Sequence, residues 1–173
     1  MLRSADCGSL RDENAGDQVT LAGWVGRRRD HGGIIFLDLR DRSGAIQVVF
    51  NPETDADATR VAEEVRGEWV VQIKGTVNRR PEGSENPAMA TGDVEVMVTE
   101  ITVLNRSLTP PFYIEEDAEA DESLRLRYRY LDLRRPPMLR NLTLRHHVVK
   151  YIRDFLSDRG FLEIETPILI KST

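Results

Sequence analysis

The stretch "GWVGRRRDHGGIIFLDLRDRSGAIQVVF", residues 23–50, decides the fold. Its runs "IIFLDLRD" (34–41) and "AIQVVF" (45–50) are apolar and β-branched enough to be strands. Arg42-Ser43-Gly44 joins them as a short hairpin turn. Upstream, Gln18 to Arg29 alternates, with Val19, Leu21, Gly23 and Val25 on one face and Thr20, Ala22 and Trp24 on the other. Three consecutive arginines, Arg27 to Arg29, therefore end a strand, and His31-Gly32-Gly33 follows them. Arg27 and Arg29 share strand parity and are expected on one face, with Arg28 on the other.

Working outward, the period changes after Phe50. Ala58, Val61, Ala62 and Val65 fall at helical spacing, and Gly67 sits where the helix is expected to end. Strand character resumes over 69–80 and again over 93–105, after a loop rich in Pro, Gly and Asn. Three strands, a helix and two strands is the order of an OB-fold. That is a mainly β, five-stranded barrel whose central strands and loops bind single-stranded nucleic acid or sugars. An SH3-like barrel or a ferredoxin-like domain also remains open to this pattern.

The chain of 173 residues carries a formal net charge of −5, but the charge is uneven. "FYIEEDAEADES" (112–123) holds six acids and no base, and without those six the −5 becomes +1. From Leu124 to Arg153 there are nine Lys or Arg residues against one acid, Asp132. Local basic surface, not the total, decides whether a polyanion can bind. No run reaches the length of a membrane-spanning helix, and the N-terminus has no apolar signal segment. Cys7 is the only cysteine, which excludes a disulfide framework and a Cys-based zinc site and makes a cytoplasmic setting the expectation.

Residues 108–135 read as an acidic linker and an arginine-rich hinge. "PPMLRNLTLRHHVVKYIRDFLSDRG" (136–160) reads as a helix with prolines in its first turn. Met138, Leu142, Val149, Ile152, Phe155 and Leu156 lie near one stripe, and Gly160 is the expected stop. A strand, "FLEIE", is expected next. A lone helix and strand cannot enclose a core, so this second domain is expected to be unfinished and the chain to be a fragment. His146 and His147 are adjacent on the helix with no third ligand at helical spacing, so no metal site is expected.

"RGFLEIETPIL" (159–169) resembles the first of the three class II aminoacyl-tRNA synthetase motifs. With "LRYRYLDLRRP" (126–136) and "GWVGRRRDHGGIIFLDLRD" (23–41), the whole chain resembles the bacterial aspartyl-tRNA synthetase family more than its lysine and asparagine relatives. The resemblance implies an OB-fold anticodon-binding domain over 1–107, the linker and hinge over 108–135, and the start of an α+β class II catalytic domain over 136–173. The second and third family motifs are missing. The resemblance therefore implies a parent that is an ATP- and Mg-dependent aspartate–tRNA ligase, and a chain that binds no cofactor and is catalytically inactive.

For the arginines the resemblance implies a grip on the tRNA anticodon loop. Arg27 and Arg29 would meet phosphate or base oxygens, Phe36 would stack under the middle base, and Gln47 would read a pyrimidine edge. Arg80 and Glu95 fall where the family contacts the first base. The plain alternatives are a solvated strand end for the arginines, barrel core for Phe36 and a surface ion pair for Arg80 with Glu95. His31 and Gly83 resemble the enzymes that charge both tRNA(Asp) and tRNA(Asn). Their anticodons differ at the third base, and an imidazole can donate or accept there. Gly160, Phe161 and Pro167 fall in the family's homodimer interface. Two other readings compete: a free-standing OB protein for single-stranded nucleic acid, and a relative acting on aspartate or asparagine without tRNA.

Overall fold

A computed structural model describes residues 1–169 of the chain. It divides into two compact units, one spanning Met1–Pro110 and the other beginning at Pro111. In the first, β1 (Gln18–His31), β2 (Ile34–Arg40), β3 (Ala45–Phe50), α1 (Ala56–Glu64), β4 (Val70–Arg79) and β5 (Val94–Asn105) follow one another. The strands close into a barrel in the order β1-β2-β3-β5-β4, with β1 also paired to β4. All neighbours are antiparallel except β3 and β5, which pair parallel through Gln47↔Glu95. This is the OB-fold expected from the strand order.

Local chemistry explains the turns. Gly32 and Gly33 both have positive φ, 63° and 92°, which a two-residue β1–β2 hairpin of the favoured twist needs at both positions. Alternation in β2 buries Ile35, Leu37 and Leu39 and leaves Ile34, Phe36, Asp38 and Arg40 outside. Leu21, Val25, Ile46, Val48, Phe50 and Ile73 complete the centre of the core. α1 starts at Asp55, whose carboxylate accepts from the Ala58 N–H at 2.7 Å. Ala58 and Ala62 of this helix join the core.

α1 stops earlier than expected. It ends at Glu64, because Val65 turns to extended backbone (ψ 137°) and buries its side chain. Gly67 is not the stop, and the left-handed residue is Glu68, with φ 66°. Glu68 N–H donates to Val25 O at 2.7 Å, and Arg40 pairs with its carboxylate. The residues before β1 also belong to the core: Cys7 and Leu10 are buried, and the Cys7 N–H donates to Asp41 Oδ2 at 2.9 Å.

The second unit holds α2 (Glu122–Arg127), α3 (Arg129–Asp132) and α4 (Pro136–Ser157). The stretch read as linker and hinge is thus partly helical, around a fully buried Asp132. Arg129 and Arg135 donate to its carboxylate, and Arg125 lies 3.9 Å from it. Arg135 also donates to the carbonyls of Glu115, Glu116 and Ala118 at 3.2–3.3 Å, which pins the acidic stretch. α4 ends three residues before Gly160. Gly160, at φ 81°, donates to Ser157 O and Phe161 N–H donates to Leu156 O, the paired bonds of a Schellman cap. The strand expected at "FLEIE" does not form. A strand exists through its ladder, and none of the described residues from Phe161 to Leu169 pairs in one.

Candidate nucleic-acid interface

The position of the arginines depends on a bulge. Val25 pairs with Leu39, but the next pair is Arg28 with Leu37, so three steps on β1 answer two on β2. The extra residue reverses parity. Without it, Arg27 and Arg29 would continue the inward series of Val25. With it, Arg28 shares the face of buried Leu37 and reaches toward α1, its Nε 3.4 Å from Ala62 O. Arg29 instead shares the outer face with Phe36, its ladder partner. Arg27 is exposed in the bulge.

The outer face is assembled by cross-strand pairs, whose side chains lie on one side of a sheet. One row runs Arg29, Phe36, Val49 and Met97, and the next runs Asp38, Gln47, Glu95 and Asn78. Phe36 is half-buried and outside the core cluster, which excludes barrel core for it. The His31 ring meets the Phe36 ring edge-on, with centroids 5.7 Å apart.

A continuous hydrogen-bond array joins four strands, β1, β2, β3 and β5, beside that ring. Arg29 Nη2 donates to Asp38 Oδ1 at 2.6 Å and to Gln47 Oε1 at 3.1 Å. Gln47 Nε2 donates to Glu95 Oε2 at 2.8 Å. Gln47 and Glu95 are each only 8% exposed, which settles their amide and carboxylate in place. Arg80 follows β4 and is also buried, its Nε donating to Val94 O at 3.1 Å. Burial lowers the Arg80 guanidinium below its ordinary value, against the pull of Glu95 and Asp38. Burial likewise raises the Asp38 carboxyl, against the pull of Arg29, Arg80 and Arg27.

Five of the expected anticodon residues thus cluster around this face: Arg29, Phe36, Gln47, Glu95 and Arg80, with Arg27 at its margin. Arg80 with Glu95 is a buried arrangement, unlike the surface ion pair that was the alternative. Asp38 was missed, although an acid inside "IIFLDL" at the parity of Phe36 is a readable signal. His31 closes β1, whereas Gly83 lies in the β4–β5 loop at φ 83°, its N–H donating to Glu85 Oε2 at 2.8 Å. Gly160, Phe161 and Pro167 are exposed. A cavity of about 390 Å³ opens beside Phe161, lined by Val149, Ile152, Leu156 and Leu162.

An OB barrel with an outward aromatic and a polar array on its outer face, followed by a proline-started helix, has the layout of a nucleic-acid-binding region of the class II synthetase kind. Residues 19–104 match the OB-fold nucleic acid binding domain family, and residues 121–173 match the class II tRNA synthetases for D, K and N. An aspartate–tRNA(Asp/Asn) ligase of Dehalococcoides mccartyi is 60% identical over 173 residues, all of this chain and 29% of that protein. The ligase of the same name from Moorella thermoacetica is 59% identical over 171 residues, 99% of this chain and 28% of that protein. The asparaginyl-tRNA synthetase of Pyrococcus horikoshii, solved with asparaginyl-adenylate, superposes with a TM-score of 0.83 at 28% identity. It matches 98% of this chain, which in turn covers 38% of that one. The chain belongs to the aspartyl-tRNA synthetase family of class II aminoacyl-tRNA synthetases. It spans less than a third of the length of these curated relatives.

Proposed function

We propose that the outer barrel face recognises the anticodon loop of tRNA, within a protein that attaches aspartate to tRNA(Asp) and tRNA(Asn). The observation that carries this reading is the outward Phe36 beside the Arg29–Gln47–Glu95 array. An unstacked base lies on the ring, worth roughly 1–3 kcal/mol. Gln47 keeps a donor and an acceptor for a pyrimidine edge, since each bond to Arg29 and Glu95 uses only part of its capacity. Glu95 accepts from the ring N–H and amino group of a guanine-like first base, with Arg80 behind it. Arg27 and Arg29 supply charged donors to the loop.

Recognition of both tRNAs rests on His31 and Gly83. The imidazole meets either cytosine or uracil at the third base, and Gly83 has no side chain to enforce a choice. The relatives named for both tRNAs support this reading. Residues 1–107 form the anticodon-binding domain in this view, 108–135 the connection, and 136–173 the opening of the catalytic domain. Gly160, Phe161 and Pro167 lie in the interface of a homodimer, consistent with the exposed apolar stripe of α4. The whole protein uses ATP and Mg and works in the cytoplasm. Among the described residues no three His, Cys, Asp or Glu side chains gather as metal ligands, so no step of that chemistry is assigned to this chain.

The test is a titration against three anticodon stem-loops at one fixed salt, because phosphate contacts make affinity steeply salt-dependent. Binding to the Asp and Asn loops with rejection of an unrelated loop is expected. Phe36→Ala is expected to weaken the cognate complexes by roughly 1–3 kcal/mol with little loss of stability. Equal binding of all three loops would overturn the reading. Unchanged relative affinity for the Asp and Asn loops in the His31→Leu, Gly83→Lys variant would remove only the dual-tRNA role.

A further inference from the structure

Asp38 stands on the outer face of β2, two residues along from Phe36 and opposite Gln47 in the ladder. One nitrogen, Arg29 Nη2, bridges it to Gln47, with bonds of 2.6 and 3.1 Å. A guanidinium is planar, so fixing Nη2 between two acceptors restricts the direction of Nε. Gln47 Oε1 is held by that bridge, and its Nε2 continues the array to Glu95.

Arg29 Nε is buried and has no hydrogen-bond partner, although the Arg29 side chain remains 34% exposed. Folded proteins leave few buried donors unpaired, and each such donor calls for a reason. An incoming acceptor is one.

We propose that Asp38 is a positioning residue for anticodon discrimination: it aims the Arg29 guanidinium, with Nε–H free for a base-edge oxygen, and through the shared Nη2 holds the Gln47 amide in its reading orientation. This deepens the anticodon-loop reading and rests on it. Asp38 touches no base and acts through Arg29 and Gln47.

The proposal reverses the sign that bare electrostatics gives. Removing a negative charge beside RNA should tighten binding to every loop. Loss of aim should instead weaken the cognate loop alone. Asp38→Asn in the 173-residue chain is expected to lower the ratio of Asp-loop to unrelated-loop affinity roughly tenfold, the worth of one charge-assisted hydrogen bond. Asp38→Glu keeps the carboxylate and is expected to regain part of that ratio.

A pH series adds a readout that a purely structural role would not move. The groups facing Asp38 are Arg27 and Arg29 from β1, Gln47 from β3, Glu95 from β5, and Arg80 beyond β4. Burial raises its carboxyl above the ordinary 3.8. Wild-type selectivity should therefore fall more steeply than that of Asp38→Asn as pH drops from neutral toward the carboxylate range, the two profiles converging. His31, common to both proteins, drops out of that comparison.

If neither variant folds, the Arg29 Nε–H resonance of the wild type answers instead. It should shift when the Asp loop is added and remain in place with the unrelated loop. Unchanged selectivity in Asp38→Asn, a uniform loss over all loops, or an unmoved resonance would overturn the proposal while leaving wild-type discrimination standing. If the wild type itself does not discriminate, the anticodon reading fails and takes this proposal with it.

Discussion

The barrel strands and α4 are both rich in apolar residues and use them to opposite ends. In the barrel every strand has two neighbours, so its backbone groups are paired and its alternating side chains close over one core. In α4 the stripe of Leu142, Val149, Ile152, Phe155 and Leu156 is 37–50% exposed, and Phe161 and Leu162 beyond it are more exposed still. An amphipathic helix takes most of its stability from what its apolar face meets. The barrel therefore carries its own stability, whereas the α4 face is ready for a contact that the described residues do not make.

The sharpest test of that contrast removes a side chain from each region. Phe50 is 1% exposed, and Phe50→Ala should cost about 3–5 kcal/mol in urea unfolding of the barrel. Leu156→Ala, at 40% exposure, should cost less than about 0.5 kcal/mol in the same chain. Comparable losses would mean that α4 is already packed in solution.

Asp132 sharpens the comparison inside the second unit, where the buried chemistry is ionic. Asp132→Ala leaves Arg135 and Arg129 without their carboxylate and should loosen residues 115–135 by about 2–3 kcal/mol, reduced because Arg129 and Arg125 are partly exposed. Hydrogen exchange along that stretch would measure it, and protection in the barrel should not change.

A third test uses the base side of the pH scale. Burial, with Asp41 beside it, pushes the Cys7 thiol from 9.0 up to about 12. The folded state then keeps a proton that the unfolded chain releases. Stability from this group is complete below pH 9.0 and is lost as pH rises toward about 12, by up to about 1.4 kcal/mol per pH unit. Cys7→Ala should flatten that part of the slope in pH-dependent unfolding. A smaller loss belongs to Asp55→Ala, which removes the α1 cap and should cost about 1 kcal/mol.

Much of this was legible because period and turn chemistry are local. Alternation over residues 18–25 named Val19, Leu21 and Val25 as the inward residues of β1, and Arg42-Ser43-Gly44 marked the turn between β2 and β3. The end of α1 was misread because Val65 leaves the helix to fill the core, a demand its neighbours in sequence do not announce. The short helices inside the arginine-rich hinge were not legible for the same reason. One buried carboxylate, that of Asp132, gathers those arginines and allows them. "FLEIE" has strand composition, but composition does not provide a partner strand.

The candidate site divides along the same line. Sequence by itself determined the order of strands and helix and the residue types available for a base edge, because these depend on spacing along one chain. Only the tertiary structure decided that Arg29 faces outward, since an added residue at a bulge has no signature in the alternation it interrupts. Only the structure brought Gln47 to Glu95, through a parallel pairing between strands 48 residues apart. Barrel closure sets that contact, and closure is a property of all five strands together.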